Sequence, residues 1–340
     1  MKLALRITAA TLRGTREGVP RLVNALLRHG AGATFLFAVG PDRAGRALFD
    51  APLRRELGVQ GLRGRLYGTL LPAPGIGPRC RKTLRRVREE GFDIGVHGWD
   101  VAGWCRHAAG ADMEWTAAQW HLAWGRFSDL FSEMPHVHGA PGWRMNRHAW
   151  RLEQRLGLRY ASDTRGTHPF LPVYEGELLG VPQLPTTLPT FAELLRQPGA
   201  RLDDAVGRLL ELVRYGPETG QVFSLSAERE GLAWLPYLER LLEGWRALGC
   251  ELVSLRQLYE SLDHAKLPRC LVGDGTVPGR EAPVALQGKP YLDGAAERVM
   301  LPDRRARLRP ASGYTLPRRV DEPYRPRPFA SLARTDSDPG

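Results

Sequence analysis

The sequence predicts an α/β fold built on a parallel sheet, and three observations carry that reading. Strand-like and helix-like stretches alternate six or seven times from the first residues onward, the pattern of repeated β-then-α units. With 340 residues, 43% of them hydrophobic and 25% charged, the chain is long enough for one large or two small cores and too apolar for disorder. No run approaches the roughly 20 apolar residues that a membrane span requires; the best, Ala31 to Gly40, is strand-sized. Such a sheet either closes into a barrel or lies open and doubly wound. Neither a P-loop nor a G-x-G-x-x-G opens a helix here, which weakens the nucleotide-binding open form.

The elements follow in order. Lys2 to Ile7 reads as a strand, and Arg16 to His29 as a helix whose Val19, Leu22, Val23, Leu26 and Leu27 share a face, stopped by Gly30. Ala33 to Gly40 is the second strand, followed by a helical stretch at Ala44 to Leu57. Cys80 to Glu90 is a basic helix and Phe92 to His97 a third strand. Asp112 caps a long helix to Met134 with Trp115, Trp120, Trp124, Phe127, Leu130 and Phe131 on its apolar side. Shorter pairs complete the series: strand His136 to Ala140 and helix Asn146 to Leu156, strand Leu158 to Ser162, helix Leu202 to Val213 and strand Gln221 to Ser226. Last come helix Leu235 to Leu248 and strand Glu251 to Val253 with a short helix behind it. Barrel closure would place chemistry at the strand C-termini.

The net charge is +11, and only Lys2, Lys82, Lys266 and Lys289 are lysines among 48 basic residues. Arginine forks suit phosphate and carboxylate, but the densest runs do not alternate with aromatics as a nucleic-acid platform does, so no nucleic-acid partner is expected. Four scattered cysteines form no C-x-x-C pair and read as thiols of a reducing, cytoplasmic protein. Met1 to Ile7 leads straight into polar residues, so no signal peptide is expected. Seven of the nine tryptophans fall between Trp99 and Trp150. Most read as core, with Trp104 and Trp143 the better surface candidates. The chain divides into a barrel at 1–285 and a basic, Pro/Arg-rich tail at 286–340 without apolar periodicity.

The strand ends carry a resemblance. Leu5-Arg6-Ile7, Thr11 to Leu22, Val39-Gly40-Pro41-Asp42, His97-Gly98-Trp99-Asp100, Gly142-Trp143-Arg144, Ser162 to Gly166, Gln183 to Thr190, Ala227 to Gly231 and Gly279-Arg280-Glu281 occur in order. In these blocks the chain resembles the polysaccharide deacetylase (NodB-homology) family, and within it the deformylases acting on undecaprenyl-phosphate 4-deoxy-4-formamido-L-arabinose. The resemblance implies a distorted seven-stranded (β/α) barrel. It also implies amide hydrolysis on a bound divalent metal (zinc, cobalt or manganese), with an aspartate base, a metal-binding aspartate and two histidines, and an acid histidine.

Carried over position by position, most of that chemistry is replaced. The base position is Thr8, the metal carboxylate is Ala10, the second metal histidine is Val101 and the acid histidine is Ser226; His97 alone remains. One imidazole does not make a catalytic site that needs about three protein ligands. The reading is therefore a catalytically degenerate member with no cofactor expected, binding an anionic glycolipid or an active homologous deformylase, cytoplasmic and peripheral to the inner leaflet. Arg13, Arg16, Asp42, Trp143, Arg144, Asp163, Arg165 and Glu228 are its substrate-side candidates. The alternative keeps an active metal-dependent hydrolase with relocated ligands: His136 and His138 share a strand face and would converge with His97 if that face pointed inward.

Overall fold

Strand β1 (Lys2–Ala9) is central to the molecule. In this computed structural model, which describes residues 1–291 apart from 51–52, 54–56, 59–60 and 218–219, one edge of β1 pairs along Leu3 to Thr8 with β8 (Gln221–Ser226). Its other edge is shared, with β9 (Glu251–Val253) covering Lys2 to Ala4 and β2 (Thr34–Ala38) covering Arg6 to Ala9. The sheet continues in parallel through β3 (Asp93–Gly98), β4 (Val137–His138) and β5 (Tyr160–Ala161), in the order β5-β4-β3-β2-β1-β8.

The gap between β5 and β8 is bridged by an irregular stave. Leu184 N donates to Ala161 O at 2.8 Å and Thr186 N to Thr164 O at 3.0 Å, while Thr187 N and Leu188 N reach Val222 O at 3.1 and 3.2 Å. Pro185 and Pro189 interrupt this stretch, which is why it pairs by single bonds and not as a ladder. The result is a curled parallel sheet wrapped by helices, a distorted (β/α) barrel.

Alternation along the staves sorts two layers. Inward-facing Ala4, Leu36, Val137, Tyr160, Leu184, Val222 and Val253 make a small apolar plug, closed below by Leu255 and Leu258 of the short C-terminal helix Leu255–Glu260. One and two steps further up the same faces stand Arg6, Thr8, Ser224 and Ser226. Outward-facing residues, among them Leu3, Leu5, Ile7, Phe35 and Phe37, join the larger core against the helices. These are α1 (Val19–Arg28), α2 (Ile76–Glu89), α3 (Val101–His107), α4 (Met113–Phe131), α5 (Arg147–Arg155), α6 (Phe191–Leu194), α7 (Leu202–Arg214) and α8 (Leu235–Ala247). Asp112 accepts from Trp115 N and Asn146 from His148 N and Ala149 N, N-caps worth about 1 kcal/mol each.

Several expectations are corrected. A second, four-stranded sheet of order β11-β10-β6-β7 was not foreseen; it comprises β6 (Leu171–Tyr174), β7 (Glu177–Leu178), β10 (Arg269–Gly275) and β11 (Val284–Pro290). β6 and β7 are short, and β10 and β11, though seven residues each, leave most of their positions at least partly exposed, so they carry little apolar signal. Strand β11 runs through Pro290, past the 285/286 division; residues 292–340, most of the expected tail, lie outside the described residues. Ala44–Phe49 forms a 3-10 turn at the start of the stretch read as a helix. Trp104 and Trp143, expected near the surface, are buried, whereas Trp120 and Trp124 stack in the core at 4.7 Å as their spacing implies. Among the described residues no helix is long and apolar enough to cross a membrane.

The loop after β8 packs on the turn before α1 through glycine. A Cβ on Gly18 would stand 2.0 Å from the backbone oxygen of Ala227, an atom that cannot rotate away. Gly18→Ala is expected to destabilise the fold by about 1–3 kcal/mol in urea denaturation; a midpoint equal to that of the unaltered chain would show that the loop gives way.

Candidate functional site

The five positions where the chemistry was expected do converge. Thr8 and Ala10 at the end of β1, His97 on β3, Val101 at the start of α3 and Ser226 at the end of β8 line one cleft of about 120 Å³ at the C-terminal ends of the staves. Asp100 sets that geometry: it accepts from Gly103 N at 2.9 Å as the α3 N-cap and pairs with Arg43.

Arg6 forms the floor. It is 1% exposed, donates from Nε to Ser162 O at 3.3 Å and from Nη1 to Ser224 Oγ at 2.9 Å, and its Nη2 has no partner. Burial, with Arg165 and Arg280 adding repulsion and Asp163 opposing it, lowers the guanidinium to about 9, so it stays charged at neutral pH. Trp143 forms one wall, with Arg280, Arg165 and Arg6 at 4.8, 5.0 and 5.1 Å from its ring centre. Its indole donates to Thr186 Oγ1 at 3.1 Å.

His97 Nδ1 lies 2.6 Å from Gly139 O. A carbonyl only accepts, so Nδ1 carries the proton and Nε2 is an acceptor facing the cleft. Burial and the Arg6 charge lower His97 to about 3, leaving it neutral. Thr8, Ala10, Val101 and Ser226 offer neither carboxylate nor imidazole, the lining glutamates Glu193, Glu230 and Glu281 are engaged by Arg165, Ser226 N and Arg196, and among the described residues no group of three potential ligands includes His97. The residues of the cleft therefore do not fit the divalent metal implied by the resemblance.

The relocated-ligand arrangement is not formed. His138 pairs in register with Val96, whose side chain faces opposite to that of His97; it packs against the stacked pair Trp120 and Trp124 of α4 at 4.4 and 6.0 Å. His136 is exposed. Behind the sheet His138 joins a different cluster: its Nδ1 is 2.8 Å from Asp163 Oδ1 and 3.8 Å from Glu153 Oε1. Among the described residues this is the one group of three potential ligands within 4.8 Å of one another. Asp163 also accepts from Ala140 N at 2.5 Å. Burial would raise Asp163, but His138 and these hydrogen bonds hold it at about 2, while burial and the Asp163 charge push Glu153 well above its usual range. Burial and mutual repulsion thus favour the proton on Glu153 and the charge on Asp163.

Of the eight substrate-side candidates only Trp143 lines the cleft. Asp163 is fully buried in the cluster just described. Arg165 is paired with Glu193 at 2.5 Å and donates to Thr186 O and Leu188 O, while its backbone exchanges bonds with Ala285 and Gln287 of β11. Asp42 accepts from Leu12 N at 2.8 Å and Ala44 N at 2.9 Å. Arg144 reaches Cys105 O, Arg13 pairs with Glu17 at 3.3 Å and Arg16 is exposed. Conversely, the sequence reading missed Arg6, Arg196, Arg229 and Arg280 as lining residues. Arg6 had a visible signal: an arginine in an apolar strand, at the same inward parity as Thr8 and Ala10.

Glu228 braces the end of β1. Its Oε1 accepts from Ala10 N, Thr11 N and Thr11 Oγ1 at 2.9–3.0 Å, and burial pushes its carboxyl up from 4.5 to about 7. Between these values the folded chain holds a proton that the unfolded chain releases, so stability falls as pH rises through the window. At about 1.4 kcal/mol per unit this amounts to roughly 3 kcal/mol. Glu228→Gln keeps an acceptor oxygen and has no proton to lose, so its stability is expected to fall less between pH 4.5 and 7. Denaturant titrations at successive pH values check this; parallel curves for the two proteins would refute it.

Comparison with known proteins agrees with this architecture. No family model matches the chain. A 4-deoxy-4-formamido-L-arabinose-phosphoundecaprenol deformylase from Shewanella sediminis is 32% identical over 279 residues, 77% of this chain and 86% of the relative. Its counterpart from Wigglesworthia glossinidia brevipalpis is 26% identical over 286 residues, 81% of this chain and 99% of the relative. Among solved structures, a polysaccharide deacetylase from Mycobacterium smegmatis superposes with a TM-score of 0.57 at 15% identity, over 81% of this chain and 95% of that one. One from Pseudomonas aeruginosa superposes at 0.51 and 16%, over 76% and 89%; at such identities the likeness is one of fold. The sequence relatives and the barrel together place this chain in the family of 4-deoxy-4-formamido-L-arabinose-phosphoundecaprenol deformylases, on the polysaccharide deacetylase fold.

Proposed function

We propose that this chain is a catalytically silent member of the deformylase family, whose barrel mouth binds an anionic glycolipid without hydrolysing it. The observation that supports this reading is the content of the cleft: Thr8, Ala10, Val101 and Ser226 surround a single imidazole, His97, above a buried arginine. A threonine hydroxyl is no base at neutral pH, alanine and valine ligate nothing, and a serine does not protonate a leaving amine. What persists suits binding. Trp143 lines the space with the guanidiniums of Arg6, Arg165 and Arg280 4.8–5.1 Å from its ring centre, and Arg196, Arg229 and Arg280 edge it with positive charge suited to a phosphodiester.

Such a protein acts by sequestering or presenting the lipid, or by pairing with an active homologue, and does so peripherally at the inner leaflet. The test is incubation of purified protein with 4-deoxy-4-formamido-L-arabinose-phosphoundecaprenol in detergent, with zinc, cobalt or manganese added in turn. Formate is expected to stay at the level of the protein-free control while the lipid co-elutes with the protein. Metal-dependent formate release would overturn the silent reading.

A further inference from the structure

The mismatch between the cleft and a metal goes further than loss, because the electrostatic sign of the floor is reversed. The lining side chains include four arginines (Arg6, Arg196, Arg229, Arg280) and three glutamates (Glu193, Glu230, Glu281). Glu193 is shared between Arg165 at 2.5 Å, outside the lining set, and Arg280 at 3.5 Å within it. Glu281 faces Arg196 at 2.6 Å, and Glu230 accepts from Ser226 N at 2.8 Å. No carboxylate hydrogen-bonds to Arg6 among the described residues, since its Nε and Nη1 bonds go to neutral oxygens, and Asp163 opposes its charge only through space.

Two buried polar atoms on this floor have no partner, Arg6 Nη2 and Ser226 Oγ. An unpaired guanidinium nitrogen away from water is expensive unless something negative meets it. Gly139 lets the guanidinium pack close to the end of β4, since a Cβ there would stand 2.2 Å from Leu36 Cδ1 and 2.8 Å from Arg6 Nη2. His97 Nε2 adds one acceptor facing the same space. Donors of positive charge and hydroxyls with a single acceptor suit a tetrahedral oxyanion that retains one proton.

We propose that the cleft is an oxyanion site, in which a phosphate group, free or esterified, takes the place that a divalent cation would occupy, bound by Arg6 Nη2 and Ser226 Oγ beside His97. The proposal deepens the silent-binder reading and rests on it. Thr8 is the natural point of attack, because it stands two residues beyond Arg6 on the same inward face. A carboxylate there would repel the anion and pair with the arginine.

The probe is inorganic phosphate, titrated against the full chain by calorimetry and by melting temperature. Saturable binding with a rising melting temperature is expected, weakened at least tenfold in Thr8→Asp while zinc produces no comparable shift. Crystals soaked in tungstate supply a readout independent of the variant, with the anion expected within hydrogen-bond distance of Arg6 Nη2 and Ser226 Oγ. Displacement of phosphate by undecaprenyl phosphate in micelles would identify a lipid headgroup as the source; phosphate binding without such displacement would identify a free anion, and both support the site. The proposal is overturned by absence of saturable binding to folded protein, by undiminished affinity in Thr8→Asp, or by tungstate seated elsewhere. Formate release in the hydrolysis assay would overturn the silent reading by itself, so the two failures are separable.

Discussion

A guanidinium held inside a barrel is the constraint around which this molecule is arranged. Arg6 sits directly above an apolar plug, and a charge there needs neighbours that offset its burial. Ser162 O and Ser224 Oγ take two of its nitrogens, and Trp143 offers its ring face. Each of these comes from a different stave or loop, so the barrel must close for the arginine to be accommodated. The irregular stave Gln183–Leu188 completes that closure and supplies Thr186 to fix the indole.

Around this centre the acidic residues act as braces. Glu228 gathers the amides at the end of β1, Asp42 those of Leu12 and Ala44, Asp100 caps α3, and Asp163 ties β4 to the following loops through Ala140 and His138. Carboxylates satisfied by two or three backbone donors are rigid, and they hold the rim in the shape the family relatives imply. The rim of the cleft is thus shaped by residues other than Thr8, Ala10, His97, Val101 and Ser226.

The limits of sequence reading are visible in particular residues. Asp163 and Arg165 sit in the block Ser162 to Gly166 at a strand end, where a functional role and a structural one look alike in one dimension; burial and partners separate them. His136 and His138 share a strand face as alternation requires, but alternation does not say which face turns inward. The register of Val96 against His138 decides that, and it turns His138 toward Trp120 and Trp124. The second sheet escaped notice because its strands lack the apolar runs that burial on both faces imposes on β1 and β8.

By itself the sequence determined the repeated β-then-α order, the parallel sheet, the cap at Asp112 and the family, and it marked Thr8, Ala10, Val101 and Ser226 as positions bearing neither carboxylate nor imidazole. These are local or positional facts, set by periodicity and by the identity of single side chains. Only the tertiary structure decided that those four positions and His97 share a cleft, that Arg6 is its floor, and that Arg196, Arg229 and Arg280 edge it. Pocket membership depends on which staves become neighbours and on the inward parity of each. Both are fixed by long-range pairing between segments as distant as β1 and β8.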